Sequence, residues 1–249
     1  MDKAMFVLLT LLALAAGLHQ CVGNEDSEEV LAALSTDLLT VQNEIVDKHN
    51  DLRRAVDPSG SNMLKMKWNE TAASNAKNWA KECSFEHSPE SLRTIEGGMA
   101  CGENLYYSTI PQLWPEALQA WYDEVNDFTF GVGPLYEDAV IGHYTQLVWY
   151  SSYLLGCAMA YCPNDKYSYY YVCHYCPAGN VMGQSSRPYT AGEPCGKCPD
   201  SCDNGLCTNP CEHDDLYSNC PDLKKKHSCK HPALKSMCPA SCGCENKIH

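Results

Sequence analysis

The sequence predicts an α+β domain followed by a small disulfide-rich region, and three observations lead to this prediction. Apolar residues recur at helical spacing in three segments before residue 130. Strand-length segments rich in aromatic and β-branched residues follow residue 143. Residues 191–249 hold ten of the 17 cysteines, in a stretch too short to build a large apolar core. We therefore expect helices on both sides of an antiparallel sheet, in an α-β-α sandwich, ahead of the cysteine-rich region.

The first two helical segments have clear boundaries. In "LLTVQNEIVDKHNDLRRAV", Val41 and Ile45 belong to an apolar stripe at helical spacing, and the turn residues 57–60 end the run. The second segment, "NETAASNAKNWAKEC", is rich in alanine, and either Asn69 or Thr71 is the expected N-cap. Both helices are expected to pack against the sheet.

The third helix and the strands complete the large domain. In "PEALQAWYDEVNDF", Pro115 suits a first helical position, and Leu118 and Trp121 belong to the inner stripe. Three later segments, "YTQLVWYSS", "YLLGCAMAYC" and "YSYYYVCHYC", have strand length and are separated by turn residues. We expect all three to be strands, which places His143 at the start of the first strand.

Residues 1–23 are expected to be a signal peptide. The apolar run at residues 4–18 is too short to span a bilayer but suits a signal-peptide core. Cleavage after Gly17 or after Gly23 satisfies the small-residue rule, and only the second position removes Cys21 and leaves 16 cysteines that can pair completely. We therefore expect cleavage after Gly23, no transmembrane segment, and a secreted, extracellular protein.

A change in composition near residue 190 divides the chain. The Pro/Gly-rich stretch "SSRPYTAGEPCG" reads as a linker between a domain with few cysteines and a region dense in them. The charge divides similarly, because residues 24–210 carry 11 basic and 25 acidic residues, whereas residues 211–249 carry six and five. An acidic body of this kind argues against nucleic acid as a partner.

Two sequence motifs carry a family resemblance. "GHYTQLVWYSS" at residues 142–152 and "YYVCHYCPAGNV" at residues 170–181 resemble the two motifs of the CAP superfamily. That superfamily contains cysteine-rich secretory proteins, insect venom antigen 5 and plant pathogenesis-related proteins of class 1. With "CGENLY" and the ten-cysteine tail, the chain resembles a vertebrate cysteine-rich secretory protein of the mammalian type. The resemblance implies a CAP domain at residues 24–190 and a disulfide-rich hinge at residues 191–210.

The remaining residues, 211–249, resemble the small helical module of sea anemone potassium-channel toxins. This six-cysteine module contains "CKHPALKSMC", which is similar to the toxin segment around a pore-facing lysine. A serine follows Lys235, where the toxins have a tyrosine, so we expect modulation at the outer surface of a channel and not direct pore plugging. The candidate channel-contact residues are Lys230, Lys235 and Tyr217.

The resemblance also implies a disulfide pairing that the residues alone leave open, because the six cysteines of the large domain allow 15 pairings. The cysteine spacing of "CGKCPDSCDNGLC" could suit zinc, but a secreted chain favours disulfides. The implied bridges are Cys83–Cys162, Cys101–Cys176, Cys157–Cys173, Cys195–Cys202, Cys198–Cys207, Cys211–Cys244, Cys220–Cys238 and Cys229–Cys242.

The family resemblance gives His143 three companions in a cleft. Two histidines and two glutamates meet there in the family, and they match His87, Glu103, Glu124 and His143. Imidazole nitrogen suits zinc, and a nearby carboxylate can either orient the ring or ligate the metal directly. A divalent cation would also relieve repulsion between the two carboxylates. We expect a non-catalytic zinc site, with zinc-dependent self-association as a possible consequence.

Three functions compete. The first is a non-enzymatic interaction protein, for which the resemblance implies regulation of a membrane ion channel, or binding to a gamete or other cell-surface protein, during sperm maturation, capacitation and sperm–egg interaction. The second is a zinc-assisted hydrolase, although neither G-x-S-x-G nor H-E-x-x-H occurs. The third is a sterol or lipid carrier that uses the apolar loop "STIPQLWPEAL". Asn69, in the only N-glycosylation sequon, is a candidate glycosylation site.

Overall fold

The structure contains the three predicted helices and two of the three predicted strands of the large domain, and its main sheet also includes strands at residues 67–68 and 102–108 that were not predicted. The computed structural model describes residues 28–163, 165–213, 215–217 and 219–249, so the predicted signal peptide at residues 1–23 lies outside the described residues. Residues 28–33 are helical. The labelled helices are α1 (Leu39–Arg54), α2 (Glu70–Ala80), α3 (Trp114–Tyr122), α4 (Gly142–Leu147), α5 (Cys220–Lys226), α6 (Pro232–Met237) and α7 (Pro239–Gly243). The strands are β1 (Lys67–Trp68), β2 (Thr94–Ile95), β3 (Met99–Ala100), β4 (Gly102–Ser108), β5 (Phe128–Thr129), β6 (Gly133–Pro134), β7 (Leu154–Tyr161), β8 (Tyr169–Cys176), β9 (Cys202–Asp203) and β10 (Leu206–Cys207).

The main sheet of the described residues has the spatial order β1-β7-β8-β4. β7 and β8 pair in antiparallel fashion, with Leu154 opposite Cys176. β4 pairs antiparallel to the other side of β8, and this register places Glu103 opposite His174. The short β1 pairs parallel to β7, so the sheet is antiparallel, as predicted, except at this edge.

Helices cover both faces of this sheet, which confirms the predicted α-β-α sandwich. On one face, α2 packs Ala76 against Ala158 and Val172 of β7 and β8. On the other face, α1, α3 and α4 enclose the larger core. Its large, fully buried side chains include Ile45, Trp114, Leu118, Tyr144, Leu147, Leu155, Tyr171 and Tyr175. The two faces of β8 therefore serve two separate apolar layers, as the alternation of strand side chains requires.

Local sequence explains the ends of two helices. The side chain of Asn69 accepts a hydrogen bond from the backbone N–H of Ala72 at 2.8 Å, so Asn69 is the N-cap of α2. Pro115 lies in the first turn of α3, where its missing N–H costs no helical hydrogen bond. Asn69 is one of the two predicted N-caps, and Pro115 is the second residue of its helix, one position after the predicted first position.

The predicted strand at "YTQLVWYSS" is wrong, because residues 142–147 form the short helix α4. Residues 144–149 are all buried, from Tyr144 to Trp149. A short segment whose apolar and polar side chains are all buried carries no periodicity that separates a helix from a strand. His143 therefore lies in the first turn of a helix and not at the start of a strand.

Arg53 attaches the end of α4 to α1. Its side chain is buried, and its guanidinium donates hydrogen bonds to the backbone carbonyls of Leu147 and Trp149 at 2.8 Å each and of Leu64 at 2.8 and 3.0 Å. Burial lowers the pKa of Arg53 to about 9, which still leaves it charged at neutral pH. A cation at this position suits the carbonyl-rich C-terminal end of α4.

The described residues form eight disulfides, and each joins a pair that the family resemblance implies. The bridges are Cys83–Cys162, Cys101–Cys176, Cys157–Cys173, Cys195–Cys202, Cys198–Cys207, Cys211–Cys244, Cys220–Cys238 and Cys229–Cys242. The last three close within residues 211–249, so the six-cysteine module has no covalent link to the rest of the chain other than its backbone.

The hinge packs against the large domain. Cys195, Cys198 and Cys207 share a buried cluster with Leu64 and Tyr153 of the large domain. The backbone N–H of Cys207 donates to the carbonyl of Met63 at 2.7 Å, which continues this contact. None of the helices among the described residues combines the length and apolar composition that crossing a bilayer requires.

Candidate functional site

Glu103 is held by hydrogen bonds from three residues. It lies on β4, and its Oε1 accepts from Nδ1 of His87 at 2.7 Å and from the backbone N–H of Ser88 at 2.9 Å. Its Oε2 accepts from the Ser88 hydroxyl at 2.7 Å and from Nε2 of His174 at 2.9 Å. The side chain is 1% exposed, so these four donors replace the water that the carboxylate loses on folding.

The hydrogen bonds of Glu103 outweigh its burial. Burial raises the pKa of the carboxyl group, but hydrogen bonds from His174, His87 and Ser88 lower it by more than burial raises it. The resulting pKa lies well below the usual value of 4.5. Glu103 is therefore an anion throughout the physiological pH range, and the two imidazoles that contact it are held by a fixed negative charge.

Glu124 is placed by the 3-10 turn at residues Asp123–Asp127, which follows α3. Its Oε1 accepts from Nδ1 of His143 at 2.5 Å. Its Oε2 accepts from the backbone N–H groups of His143 and Tyr144 at 2.9 and 3.0 Å, which are otherwise free at the start of α4. The carboxylate next to the buried stripe of α3 therefore fixes both the beginning of α4 and the ring of His143.

These contacts settle the tautomers of the two cleft histidines. An ionised carboxylate can only accept hydrogen bonds, so Nδ1 of His87 and Nδ1 of His143 must each carry the proton. In the neutral ring the lone pair then lies on Nε2. Within the described part of the chain, Nε2 of neither histidine has a hydrogen-bond partner. Both glutamates thus orient an imidazole through Nδ1, the arrangement that prepares a histidine to bind metal through Nε2.

Both histidines line one cleft of about 420 Å³. Its other walls include Phe85, Leu105 and Tyr107. The ring of His143 stacks on the indole of Trp121, with ring centres 6.2 Å apart and planes inclined by 13°. An aromatic wall beside two imidazoles gives the cleft both apolar surface and nitrogen lone pairs.

The four predicted ligands form two pairs and do not converge on one point. Among the described residues, two groups place ligand atoms of three or more His, Cys, Asp or Glu residues within 4.8 Å of one another, and neither contains a member of the quartet. Those groups are Cys195–Cys198–Cys207 and Asp215–Cys220–Cys238. Their cysteines are bound in disulfides, which leaves no thiolate for a metal.

His174 and Ser88 belong to the site but were not predicted. His174 is completely buried, and within the described residues its Nδ1 has no hydrogen-bond partner. Its position in the second family motif was visible, but its contact with Glu103 depends on the register of β4 against β8. A sequence does not reveal that register, so no local signal connected His174 to the site.

A series of buried hydrogen bonds holds the backbone of His143 in place. Nδ2 of Asn104 donates to the backbone carbonyl of His143 at 3.0 Å and lies 3.4 Å from the hydroxyl of Tyr175. That hydroxyl is 2.9 Å from Nε2 of His49 on α1. Burial lowers the pKa of His49 to about 3, so this ring stays neutral and acts as a fixed hydrogen-bonding group.

The other predicted site residues lie outside the cleft. Lys230 and Lys235 are exposed in the six-cysteine module, Lys235 on α6. Tyr217, in the same module, is 54% exposed. Asn69 is half-buried at the N-cap of α2, where its Oδ1 and not its Nδ2 makes the capping bond. Glycosylation of Nδ2 would therefore leave the cap in place, and it stays a prediction.

The sandwich and its two His–Glu pairs define a CAP-type domain, and comparison with known sequences agrees. The family profile described as "CAP: Cysteine-rich secretory protein family" matches residues 46–175, and the profile described as "Crisp" matches residues 195–249. The chain belongs to the cysteine-rich secretory protein family.

Curated relatives extend this similarity over nearly the whole chain. Human cysteine-rich secretory protein 3 is 54% identical over 98% of this chain and 100% of its own length. Human cysteine-rich secretory protein 2 is 53% identical over 97% of this chain and 99% of its own length. Mouse cysteine-rich secretory protein 1 is 52% identical over 98% of this chain and all of its own length. The resemblance to mammalian family members is thereby confirmed.

Two solved structures share the fold of the large domain. The structure titled NaASP2 with Zn2+ superposes with a TM-score of 0.56 at 32% identity, covering 67% of this chain and 94% of that protein. Na-ASP-1 superposes with a TM-score of 0.57 at 30% identity, covering 68% of this chain and 47% of that protein. These matches confirm the CAP fold.

Proposed function

We propose that this chain is a secreted, non-enzymatic interaction protein that regulates an ion channel through its six-cysteine module. The match to cysteine-rich secretory proteins over nearly the full length carries this proposal, because it includes the Crisp profile at residues 195–249. The name of these relatives, cysteine-rich secretory proteins, supports secretion. The proposed setting is sperm maturation, capacitation and sperm–egg interaction, with a membrane ion channel or a gamete surface protein as the partner.

The build of the module supports its role as the channel-binding part. Its three bridges stabilise a small fold with little core, each by about 2–4 kcal/mol. Lys230, Lys235 and Tyr217 are exposed, so their side chains are available to a partner. Positive groups on a rigid support suit the outer surface of a cation channel, which attracts cations.

Whole-cell currents provide the test. The secreted full-length protein would be applied to cells that express one potassium or calcium channel at a time, together with Lys235→Ala and Tyr217→Ala. Lys81→Ala, an exposed lysine of the large domain, is the matched control. We expect wild type and the control to change currents and the module variants to lose most of the effect. If all variants changed currents as much as wild type does, the channel activity would not depend on the module and the proposal would be wrong.

We also propose a non-catalytic zinc site in the cleft. His87 and His143 would bind the metal through Nε2, while Glu103 and Glu124 hold the rings through Nδ1. The structural relative titled with Zn2+ supports this assignment. Zinc fits better than calcium because nitrogen ligands suit zinc and calcium prefers an all-oxygen shell.

Calorimetric titration of the metal-free protein with zinc tests this site. We expect binding by wild type and by His227→Ala, an exposed histidine of the module, and loss of binding by the His87→Ala/His143→Ala double variant. Sedimentation of the same samples measures zinc-dependent self-association. Equal zinc affinity in all three proteins would leave the two histidines with a purely structural role.

Neither Ser88 nor the cysteines supply a nucleophile for the hydrolase alternative. The hydroxyl of Ser88 is buried and donates to Glu103, so it is not directed at the cleft. All 16 cysteines after Gly23 are in bridges. A water bound to metal would remain as an attacking group, and a peptidase assay of the zinc-loaded protein tests it. We expect no turnover.

One observation favours the lipid-carrier alternative. In the loop before α3, Ile110 and Leu113 are 59% and 61% exposed, so two apolar side chains face solvent close together in sequence. A sterol-binding assay with Leu113→Ser as the matched variant tests this function. Binding of sterol by wild type, reduced in the variant, would add a carrier role to the chain.

A further inference from the structure

An apolar recess lies between α5 and α6 in the six-cysteine module. It encloses about 620 Å³, a size typical of sites that bind part of another molecule. Its walls are formed by Leu223, Ala233, Leu234 and Met237, and Lys230 stands at its edge. We call the surface formed by the four apolar residues the apolar recess. It lies apart from the cleft and shares no residue with it.

One disulfide fixes the walls of the apolar recess. Cys220 begins α5 and is bonded to Cys238, which follows α6, so this bridge fixes the spacing of the two helices that form the walls. Leu234 is 5% exposed and packs against the same bridge. A recess whose walls are covalently fixed loses little entropy when a ligand enters it.

The rim of the recess is basic. Lys230, His227 and His231 line it, whereas Lys224 and Lys226 follow Leu223 on α5 and are not among its lining residues. Lys225 is paired with Asp222 at 3.1 Å, whereas within the described residues the other three lysines make no ion pair. An apolar floor with a positive rim is complementary to an apolar side chain flanked by carboxylates.

We infer that the apolar recess binds an acidic segment of a partner protein through one large apolar side chain. This inference rests on the proposed function, because it names the chemistry by which the module would recognise its partner. A membrane surface fits less well. Interfacial binding requires apolar side chains that protrude into the lipid, whereas Leu223, Leu234 and Met237 line a concavity.

Fluorescence anisotropy with labelled peptides tests the inference on the full-length oxidised protein. The probe is an acidic peptide with one central leucine. Its comparison peptides have alanine in place of the leucine or lysines in place of the acidic residues. We expect binding of the first peptide only, weakened about tenfold in Lys230→Glu through lost attraction and new repulsion. Ala233→Phe, which occupies the recess, should weaken binding as well.

Lys247→Glu is the matched control, because Lys247 is an exposed lysine of the same module that does not line the recess and is not a candidate channel-contact residue. It should bind the acidic leucine peptide as tightly as wild type does. A native set of disulfides in each variant shows that it has folded, and Lys230→Glu changes only an exposed side chain.

Each other outcome overturns the inference. If the alanine peptide binds equally well, the leucine side chain is not the anchor. If the lysine peptide binds equally well, the acidic residues do not contribute. Binding only to phosphatidylcholine vesicles that contain phosphatidylserine assigns the surface to lipid. Self-association that Lys230→Glu abolishes, without peptide binding, assigns it to a second copy. No binding of any probe leaves the recess without a ligand-binding role.

Channel currents measured with the same variants separate this inference from the proposed function. If wild type and Lys230→Glu alter currents equally and no peptide binds, the inference fails and the channel function stands. If wild type alters no current, the proposed function fails whatever the peptides do.

Discussion

Replacing Glu103 by glutamine tests the central hydrogen-bond cluster of the site with almost no change in volume. The carboxylate accepts four hydrogen bonds from His87, Ser88 and His174, two at each oxygen. Glutamine keeps one acceptor oxygen and puts an NH₂ donor where the other oxygen was. Two of the four donors then face another donor in a site that is 1% exposed.

The expected loss is about 3 kcal/mol of the free energy of unfolding. Hydrogen bonds to a charged group contribute about 1.5–3 kcal/mol each, and two of them are lost. Rotation of the Ser88 hydroxyl can recover part of this loss, whereas His174 has no other partner for Nε2 and is completely buried. The estimate therefore lies near the lower end of the range for two charged bonds.

The loss should also depend on pH in a defined direction. Because the folded-state pKa of Glu103 lies below its ordinary value of 4.5, the carboxylate stabilises the protein fully above about pH 5. This contribution disappears as pH falls through the window below 4.5 towards the folded-state pKa. The gap between wild type and Glu103→Gln should therefore narrow in acid, by at most about 1.4 kcal/mol per pH unit.

Urea unfolding with intact disulfides, in the presence of a chelator, measures both effects. Glu82→Gln is the matched control, because Glu82 is an exposed glutamate of the same domain whose side chain makes no hydrogen bond to the described residues. Its unfolding curve should equal that of wild type at every pH. A Glu103→Gln loss below about 1 kcal/mol at pH 7, or a gap that stays constant down to pH 3, would refute the cluster as described.

Three further predictions address the rest of the fold. Arg53→Met should cost about 3–5 kcal/mol in urea unfolding, because it leaves several buried carbonyls without a donor, and Arg53→Lys should recover only part. Ile248→Ala, which empties a position in the cluster shared by the hinge and the large domain, should cost about 2–4 kcal/mol and speed amide exchange in the hinge, whereas Lys247→Ala should not. Thiol titration of the denatured, unreduced secreted protein should find no free thiol, and a reproducible thiol or a retained Cys21 would contradict cleavage after Gly23.

The sequence was sufficient for the elements that show periodicity and flanking signals. α1 and α2 begin and end where helical spacing, Asn69 and the following turn residues predict. β7 and β8 were recognisable from aromatic and β-branched residues at strand length. α4 could not be recognised, since its last four residues are all buried and show no exposed polar face. Its first amides are capped by Glu124, which lies 18 residues upstream of α4.

The site was predictable only through the family motifs. His87 and His143 are separated by 56 positions, and neither has a local pattern typical of a metal ligand. The resemblance supplied the quartet but not the role of its carboxylates. That role depends on which ring nitrogen each carboxylate contacts, and therefore on tertiary geometry. His174 was missed for the same reason, because only the pairing of β4 with β8 brings it to Glu103.

The geometry of the two carboxylates also decides what a metal would change. From the sequence, a cation is expected to relieve repulsion between Glu103 and Glu124. In the structure Glu103 has four donors and Glu124 has three, so each charge is stabilised without a cation. The His–Glu pairs should therefore stay folded after chelation, unlike small zinc domains that unfold without metal.

This difference gives a measurable prediction for metal removal. In the presence of a chelator, wild type should stay folded and unfold cooperatively in urea, and the metal-free midpoints of wild type and of the His87→Ala/His143→Ala variant are the two baselines for zinc addition. Saturating zinc should then raise the midpoint of wild type alone, because a ligand that binds only the folded state stabilises it in proportion to the logarithm of its concentration above Kd. If metal-free wild type is already unfolded or loses its near-ultraviolet circular dichroism, the carboxylates depend on the cation and the hydrogen-bonding account is wrong. If it stays folded and gains stability only with zinc and both histidines, the cleft is a preformed site whose metal is a ligand and not a structural requirement.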